Sequence, residues 1–180
     1  VKEEKKEEVK KEVKEEKKDE NSKEIVGESS RAKLTLPRDL TSFYTPSEKY
    51  DMINGKQDKG NIGYTLSRKD PDRSIYVNIC TDSSDTLEEA IVFHNEHLSE
   101  GEEPFTEYTL GEYSGYRSKS YTNYWNSAND TTYRYKLNYP VGDKNVILSC
   151  SVKLRDDSDD TTGLEDILLA ALKQLKVEIK

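Results

Sequence analysis

The amino-acid sequence predicts an α+β protein in which helices pack on an antiparallel β-sheet. Residues 105–154 alternate apolar and polar side chains between turn signals, as antiparallel strands with one buried face do. Residues 164–175 carry apolar side chains at helical spacing, and residues 87–98 carry a weaker pattern of the same kind. Strands and helices that are segregated along the chain in this way are typical of the α+β class.

Three short strands are predicted around a long loop before the first helix. Residues 32–36 (AKLTL) alternate and are followed by Pro37, so they are predicted to form a strand that enters a turn. Residues 37–61 are rich in Pro, Gly, Asp, Asn and Ser and are predicted to be mostly loop. Strands are predicted over 62–68 and 74–80, and the second of these is apolar enough on both faces to predict that both are covered.

The first helix has a recognisable start and stop. Thr86 is placed to act as the N-cap, with Glu89 as its capping-box partner three residues later. Gly101 is predicted to end the helix. The helical pattern between them consists of Leu87, Ala90, Ile91, His94 and Leu98.

Four strands are predicted next, over residues 106–110, 112–122, 131–139 and 144–154, with a hairpin turn at 140–143. The last strand alternates most clearly and is therefore predicted to bury one face. Its predicted core face consists of Val146, Leu148, Cys150, Val152 and Leu154.

The closing helix carries the strongest helical signal in the chain. Thr162 is predicted to cap it, with Glu165 as the third residue after the cap. Its apolar stripe is predicted to pack on a single sheet, since burying six such side chains contributes on the order of 10 kcal/mol before entropy is subtracted. The stripe consists of Leu164, Ile167, Leu168, Ala171, Leu172 and Leu175.

Composition excludes several classes of partner. The 180 residues include 28 basic and 36 acidic side chains, so the net charge is -8. A net-negative protein is a poor ligand for nucleic-acid phosphates and for anionic lipid surfaces, both of which attract clustered Lys and Arg. No apolar run approaches the roughly 20 residues that a transmembrane helix needs.

Residues 1–24 differ sharply from the rest of the chain. They contain nine Lys and ten Asp or Glu, and their apolar residues are Val1, Val9 and Val13. Since no apolar stripe could dock such a segment on a core, it is predicted to be a solvated tether, the alternative being a persistent exposed helix. Residues 25–180 are then predicted to form a single domain.

A charged spacer ahead of a compact domain is typical of a surface lipoprotein. The spacer holds the domain away from the membrane to which an N-terminal lipidated Cys attaches it. The chain begins with Val and contains no such Cys near its start, so the anchor is an inference. The predicted location is the extracellular face of the cytoplasmic membrane, and the alternative is a cytosolic protein with a charged tail.

Several sequence stretches, in this order, support a family resemblance: SxxAKLTLP, RSIYVNI leading into LEEAIVFHNEHL, LGEYSGYRSKSY, NVILSCSVKL and LEDILLAALKQLKV. Over about residues 30–178 the chain resembles the PsbP-like fold, and most of all bacterial surface lipoproteins of the Gram-positive, clostridial type. The resemblance implies a binding or assembly module. It supplies no catalytic residue, because the family is not known for a shared catalytic motif.

Aromatic residues suggest one candidate binding face. Eight of the twelve tyrosines lie in residues 108–139, and the single Trp lies in a polar stretch predicted to be a hairpin loop. Such side chains offer large, rigid contact area with a polar group, as saccharide- and peptide-binding surfaces do. The alternative is cross-strand aromatic pairing within the sheet. The candidate binding residues are Tyr121, Tyr124, Trp125 and Asn126.

Two clusters are candidate metal ligands. Four carboxylates precede the closing helix and could hold Ca²⁺, although their spacing is not that of an EF-hand. The alternative is a solvated loop whose charge complements the helix dipole. These carboxylates are Asp156, Asp157, Asp159 and Asp160. The two histidines, His94 and His97, are three residues apart, whereas the HExxH metalloprotease motif separates them by four.

The two cysteines, Cys80 and Cys150, are both predicted to lie in strands. In an exported protein they could form a disulfide if their faces converged, and otherwise they would be buried free thiols.

The sequence therefore predicts a non-enzymatic, membrane-tethered extracellular binding or accessory module. Its ligand would be a peptide, a glycan or another envelope protein, and it would act as a monomer without a cofactor. The alternative is a small hydrolase or metal-dependent enzyme of the cell envelope.

Overall fold

A computed structural model describes residues 22–43, 50–58, 60–68, 73–122, 130–155 and 162–180. These residues form ten strands and two helices, which confirms the predicted α+β class. The first strand begins at Glu24, the last residue of the predicted tether, whereas Val9 and Val13 lie outside the described residues. In chain order the elements are β1 (Glu24–Glu28), β2 (Ala32–Pro37), β3 (Tyr50–Asp58), β4 (Asn61–Arg68), β5 (Arg73–Thr81), α1 (Leu87–Glu96), β6 (Thr106–Leu110), β7 (Tyr113–Thr122), β8 (Asp130–Val141), β9 (Lys144–Arg155), α2 (Thr162–Gln174) and β10 (Lys176–Ile179).

The strands form two antiparallel sheets, so the prediction of a single sheet is wrong. The small sheet has the order β1-β2-β10, and the large sheet has the order β3-β4-β5-β9-β8-β7-β6. The small sheet was not predicted because its outer strands have only five and four residues. Moreover, β1 adjoins the charged segment and β10 adjoins the closing helix. Both pair with β2, whose alternate residues Ala32, Leu34 and Leu36 are fully buried.

The prediction of loop over residues 37–61 is wrong for β3, which pairs with β4 at the edge of the large sheet. The register between the two strands shifts between Ile53 and Lys56. Gly55 lies within this irregularity, where a Cβ atom would stand 2.2 Å from Cδ1 of Ile25 in the small sheet. The turn-forming residues of this stretch therefore allow an irregular strand to pass close beneath β1.

The core lies between one face of the large sheet and a second layer made of α2 and the small sheet. The predicted packing of the closing helix on strands is confirmed, since Ile167, Leu168, Ala171 and Leu172 are at most 1% exposed within the core. The side chain of Leu164 lies outside the described part of the structure. The sheet residues of this core include Leu66, Val77, Ile79, Tyr135, Leu137, Leu148, Cys150 and Val152.

The predicted capping of α2 is wrong. The helix begins at Thr162 itself, so this residue is not the one before the helix, and Glu165 in the first turn contacts the large sheet instead of the helix start. Its carboxylate accepts hydrogen bonds from the hydroxyls of Tyr108 and Tyr135, both at 2.8 Å to Oε1, and from Nη1 of Arg117 at 3.1 Å. Glu165 therefore joins the helix to the sheet.

The start of α1 is as predicted, because Thr86 is its N-cap and its Oγ1 accepts a hydrogen bond from the Glu89 N–H at 3.2 Å. The helix ends at Glu96 rather than near Gly101. Gly101 instead has φ +82°, and a Cβ there would stand 2.4 Å from the carbonyl oxygen of Tyr121. This glycine therefore allows the chain after α1 to approach β7.

The four strands predicted over residues 105–154 are β6 to β9, and the hairpin predicted at 140–143 joins the last two. Gly142 supplies the left-handed residue of that turn, at φ +64°. This half of the large sheet was predictable because its strands are sequential and joined by short connections.

Buried tyrosines of the core make stability depend on alkaline pH. Burial raises the pKa of Tyr64, Tyr113 and Tyr135 well above its ordinary value. Below pH 10 these hydroxyls are protonated in both states; above about pH 10 the unfolded chain releases protons that the folded protein retains. We therefore expect the free energy of unfolding to fall as pH rises above about 10.

Urea unfolding at a series of alkaline pH values, with tyrosinate absorbance followed in parallel, measures this effect. Tyr135→Phe should reduce the pH slope, whereas Tyr121→Phe, at an exposed tyrosine, should leave it unchanged. An unchanged slope in Tyr135→Phe would contradict the explanation.

Candidate functional site

The face of the large sheet that points away from the core is polar. One row of paired residues crosses five neighbouring strands there: Arg134 pairs with Ser151, Ser151 with Asn78, Asn78 with Gly63, and Gly63 with Lys56. Because side chains alternate along a strand, these residues share the face opposite Tyr135, Val152 and the other core residues. The row therefore has the cationic Arg134 at one end and Lys56 at the other, and Gly63, which has no side chain, lies next to Lys56.

A second row lies on the same face, two residues further along each strand. Lys136 pairs with Ser149, and Ser149 pairs with Cys80. Nζ of Lys136 donates to Oγ of Ser149 at 2.9 Å, and Sγ of Cys80 lies 3.4 Å from the Ser149 carbonyl oxygen. The ammonium of Lys136 is thus held beside the thiol.

The two rows form the floor of a pocket of about 540 Å³. Its wall includes His94 of α1 and Phe105, whose rings meet edge to face at 4.8 Å. Nε2 of His94 lies 3.1 Å from the carbonyl oxygen of Glu103 and 3.3 Å from Oγ of Ser118, which fixes the ring against the sheet. The pocket therefore lies between a rigid sheet and an anchored helix.

Two carboxylates outside the pocket hold its cations in place. Oδ2 of Asp82 pairs with Nζ of Lys136 at 2.5 Å, where both side chains are mostly buried. Burial opposes ionisation of Asp82, but hydrogen bonds from Lys136 and Ser84 keep the pKa of this carboxyl below its ordinary value. Asp82 is therefore ionised at neutral pH.

Glu102 holds Arg134 in a similar way. Nη1 of Arg134 lies 3.3 Å from Oε1 of Glu102 and donates to Oγ of Ser120 at 2.8 Å. The Ser99 backbone N–H, together with Arg134, lowers the pKa of Glu102 against the effect of partial burial. Both contacts use Nη1 of the guanidinium, and among the described residues its other nitrogens have no partner.

Comparisons with known proteins provide little guidance on this site. No protein-family model matches the chain, and no curated protein matches it. A similar solved structure is that of LpqN, described as involved in cell envelope biogenesis of Mycobacterium tuberculosis. It is 14% identical, with a TM-score of 0.44 over 86% of this chain and 90% of that chain, and at this distance the likeness carries no argument about function.

The aromatic binding face predicted from sequence does not coincide with the pocket. Tyr121 is 43% exposed, and the alternation along β7 places it on the α2 side of the sheet with Arg117. Tyr124, Trp125 and Asn126 lie outside the described residues. The alternative of cross-strand pairing is confirmed for Tyr113 and Tyr139, whose rings lie 5.3 Å apart on the neighbouring strands β7 and β8, whereas Tyr108 and Tyr135 lie 6.0 Å apart across the intervening strand β7.

The predicted metal ligands are not brought together where the structure describes them. The two histidines diverge, because His97 stacks on Phe93 at 4.5 Å while His94 faces the pocket. Within the described ranges, no three His, Cys, Asp or Glu side chains form a group that could hold a metal ion. The acidic cluster lies outside those ranges and consists of Asp156, Asp157, Asp159 and Asp160.

The two cysteines are free thiols on opposite faces of the sheet. Ile79 pairs with Cys150 and Cys80 pairs with Ser149, so the cysteines are one residue out of register and point in opposite directions. A disulfide is therefore excluded by the pairing.

The prediction that β5 is covered on both faces is also wrong, because Tyr76 and Asn78 on the pocket side are exposed.

We expect the two thiols to differ strongly in reactivity. Burial raises the pKa of both, and the Lys136 ammonium partly opposes this at both, but Cys80 is partly accessible in the pocket whereas Cys150 is buried. One thiol should react slowly with a thiol reagent in the native protein, and two should react in denaturant. Loss of the native reaction in Cys80→Ser would assign it, and its persistence would contradict the assignment.

The pocket residues were missed because the sequence shows them only as the polar side of alternating strands. Ser149 and Ser151 read as an ordinary solvent face, and Arg134 and Lys136 alternate in the same way on β8. Four polar residues at alternate positions of two hairpin-linked strands were the available signal. Their register with β5 and β4 was not visible from sequence.

Neither described helix is long and apolar enough to cross a bilayer.

Proposed function

We propose that this protein is a non-enzymatic binding module whose ligand occupies the pocket on the polar face of the large sheet. The observation that carries the proposal is the pocket itself: its volume of about 540 Å³ lies within the range of small-molecule sites, and hydroxyl, amide and cationic donors converge in it. The strands beneath it are hydrogen-bonded neighbours in one sheet, so the site is largely preformed.

The titratable groups of the pocket favour binding over catalysis. A catalytic site of the hydrolase type needs a nucleophile beside a general base. Burial raises the pKa of Cys80, which disfavours the reactive thiolate, and its contact is with the Ser149 carbonyl oxygen. His94 is engaged by Glu103 and Ser118, and within the described residues it has no contact with Cys80.

The proposed location is the extracellular face of the cytoplasmic membrane. The Lys/Glu composition of residues 1–24 supports a tether, and β1 begins at its last residue. The ligand would be a glycan, a peptide or part of an envelope protein, bound by a monomer. Fractionation of cells that express the full-length gene product, followed by protease digestion from outside, tests the location. Recovery in the cytosol would overturn it.

Binding is tested with a defined panel of probes: cellobiose, its glucuronosyl counterpart cellobiouronate, glucose 6-phosphate and trialanine. At least one should raise the unfolding temperature, since a ligand that binds only the folded state stabilises it. The same probe should slow alkylation of Cys80, because this thiol lies in the pocket.

A bulky maleimide attached to Cys80 provides the site-specific control. It should abolish the ligand-induced shift in the wild type, whereas Cys80→Ser treated with the same reagent should keep the shift. If no probe raises the unfolding temperature or protects Cys80, the proposed function is wrong.

A further inference from the structure

We infer that the pocket selects a hydroxyl-rich ligand that carries a carboxylate or phosphate group, as acidic saccharides do. This inference rests on the proposed function and narrows its ligand class. The anionic group would lie against Arg134 and Lys136, and the hydroxyl-bearing body would lie across Asn78 and Gly63 towards Lys56.

Charge provides the first step of the argument. The chain carries a net charge of -8, so a surface patch of average composition would contain more carboxylates than cationic side chains. The described residues that line the pocket include three cationic side chains, Lys56, Arg134 and Lys136, and no carboxylate. Asp82 and Glu102 bind two of these cations from outside the lining and hold them in position without entering the pocket.

The second step counts the donors that remain. A guanidinium has five N–H groups and an ammonium has three. The contacts of Arg134 with Glu102 and Ser120 use Nη1, and those of Lys136 use two of its three N–H groups, on Asp82 and Ser149. Among the described residues the remaining donors have no acceptor, and a carboxylate or phosphate supplies the acceptors that such a pair satisfies best.

The third step concerns the body of the ligand. Beyond Arg134 the row continues with the hydroxyl of Ser151 and the amide of Asn78, which both donate and accept hydrogen bonds as sugar hydroxyls require. Gly63 follows, and a Cβ there would stand 3.0 Å from Oδ1 of Asn78. The missing side chain therefore leaves room for the ligand beside the amide.

The dimensions of the row fit a ligand of about two sugar rings. The row crosses four gaps between neighbouring strands, so its terminal residues Arg134 and Lys56 have Cα atoms roughly 19 Å apart. Their long side chains shorten the open span, and Tyr76, which is 36% exposed, offers an aromatic surface beside it. A single small anion would fill only one end of the 540 Å³ pocket.

The test compares cellobiouronate with cellobiose by isothermal titration calorimetry on the full chain. These disaccharides differ by a carboxylate in place of one hydroxymethyl group. We expect cellobiouronate to bind about tenfold more tightly or better, since hydrogen bonds to a charged group are stronger than those to a neutral one. Arg134→Gln should remove most of that preference, and Lys56→Gln should weaken binding about threefold, as expected of an exposed charge.

Lys173→Gln on the exposed side of α2 is the matched control, because it changes the net charge by the same amount at a position far from the pocket. It should leave the preference intact. The thermal unfolding of each variant is measured alongside, so that a binding loss caused by misfolding is recognised. Glucose 6-phosphate against glucose provides the phosphate arm of the same comparison.

The outcomes separate this inference from the proposed function. Equal binding within both pairs, cellobiose with cellobiouronate and glucose with glucose 6-phosphate, or binding of trialanine alone, would overturn the anionic-saccharide class while leaving a binding module. A preference for cellobiouronate that survives Arg134→Gln, or that Lys173→Gln abolishes, would overturn the assignment of the anion to this end of the pocket. Failure of every probe would overturn both.

Discussion

Gly115→Ala is expected to destabilise the protein by about 3 kcal/mol or more, because the added methyl group has no space. Gly115 is buried in β7, where it pairs with Leu137 on one side and Tyr108 on the other. A Cβ atom there would stand 1.9 Å from the carbonyl oxygen of Lys136. That oxygen belongs to the central backbone of the sheet and cannot rotate away as a side chain could, so β7 and β8 must separate.

Gly163→Ala is the matched control for this substitution. Among the described residues, a Cβ atom at Gly163 meets nothing within 4 Å, and the residue lies in the first turn of α2. Replacing it should stabilise the protein by up to about 1 kcal/mol, since alanine favours the helix. Urea unfolding of both variants gives the comparison. A Gly115→Ala protein as stable as the wild type would show that the two strands do not approach this closely.

Glu165→Leu is expected to lower the free energy of unfolding by about 3 kcal/mol. The substitution preserves the apolar bulk but removes the acceptor shared by Tyr108, Tyr135 and Arg117. Tyr135 is 1% exposed and cannot turn its hydroxyl to water. The Glu165 and Arg117 side chains are 20% and 34% exposed, which keeps the loss below that of a fully buried ion pair.

Asp166→Leu provides the matched control, because it removes a carboxylate from the neighbouring, exposed position of the same helix. Its effect should stay within about 0.5 kcal/mol. Tyr135→Phe combined with Glu165→Leu should be less damaging than the sum of the single changes, since the two groups share one hydrogen bond. Additive losses would contradict a shared network.

Local signals were sufficient to predict much of the fold. The alternation of Leu148, Cys150 and Val152 reports a buried sheet face directly, and the Thr86 hydroxyl marks the start of α1. The left-handed glycine at 142 marks the hairpin. Each of these features depends on residues within a few positions of one another, which is the range over which sequence pattern reflects conformation.

Features that depend on distant partners were not predictable. β1 and β10 are too short to show a pattern, and each forms because β2 offers it an edge. The pairing of β5 with β9 joins residues about seventy positions apart, and this pairing separates Cys80 from Cys150 and lines up Asn78 with Ser151. The candidate pocket is a product of that register, so no local pattern could reveal it.

The tyrosines drew the predicted binding face away from the polar residues that line the pocket. Tyrosines such as Tyr113, Tyr135 and Tyr139 stand out in composition, but their rings pack in or against the core. Their hydroxyls donate to Glu165 or to carbonyl oxygens at the end of α2 and just after it. Serines and lysines attract no attention in a charged chain. In the described structure, however, serines and lysines such as Lys136, Ser149 and Ser151 line the candidate pocket.

The three-stranded sheet determines how the protein can be presented on a solid support. Its outer strands β1 and β10 hold the two ends of the fold, and Nζ of Lys180 lies 2.8 Å from Oε1 of Glu28, so the C-terminus lies beside the end of β1. Both ends belong to the layer behind the large sheet. A protein captured on a biosensor chip through a tag at the C-terminus would therefore turn its open, polar side towards the flowing analyte.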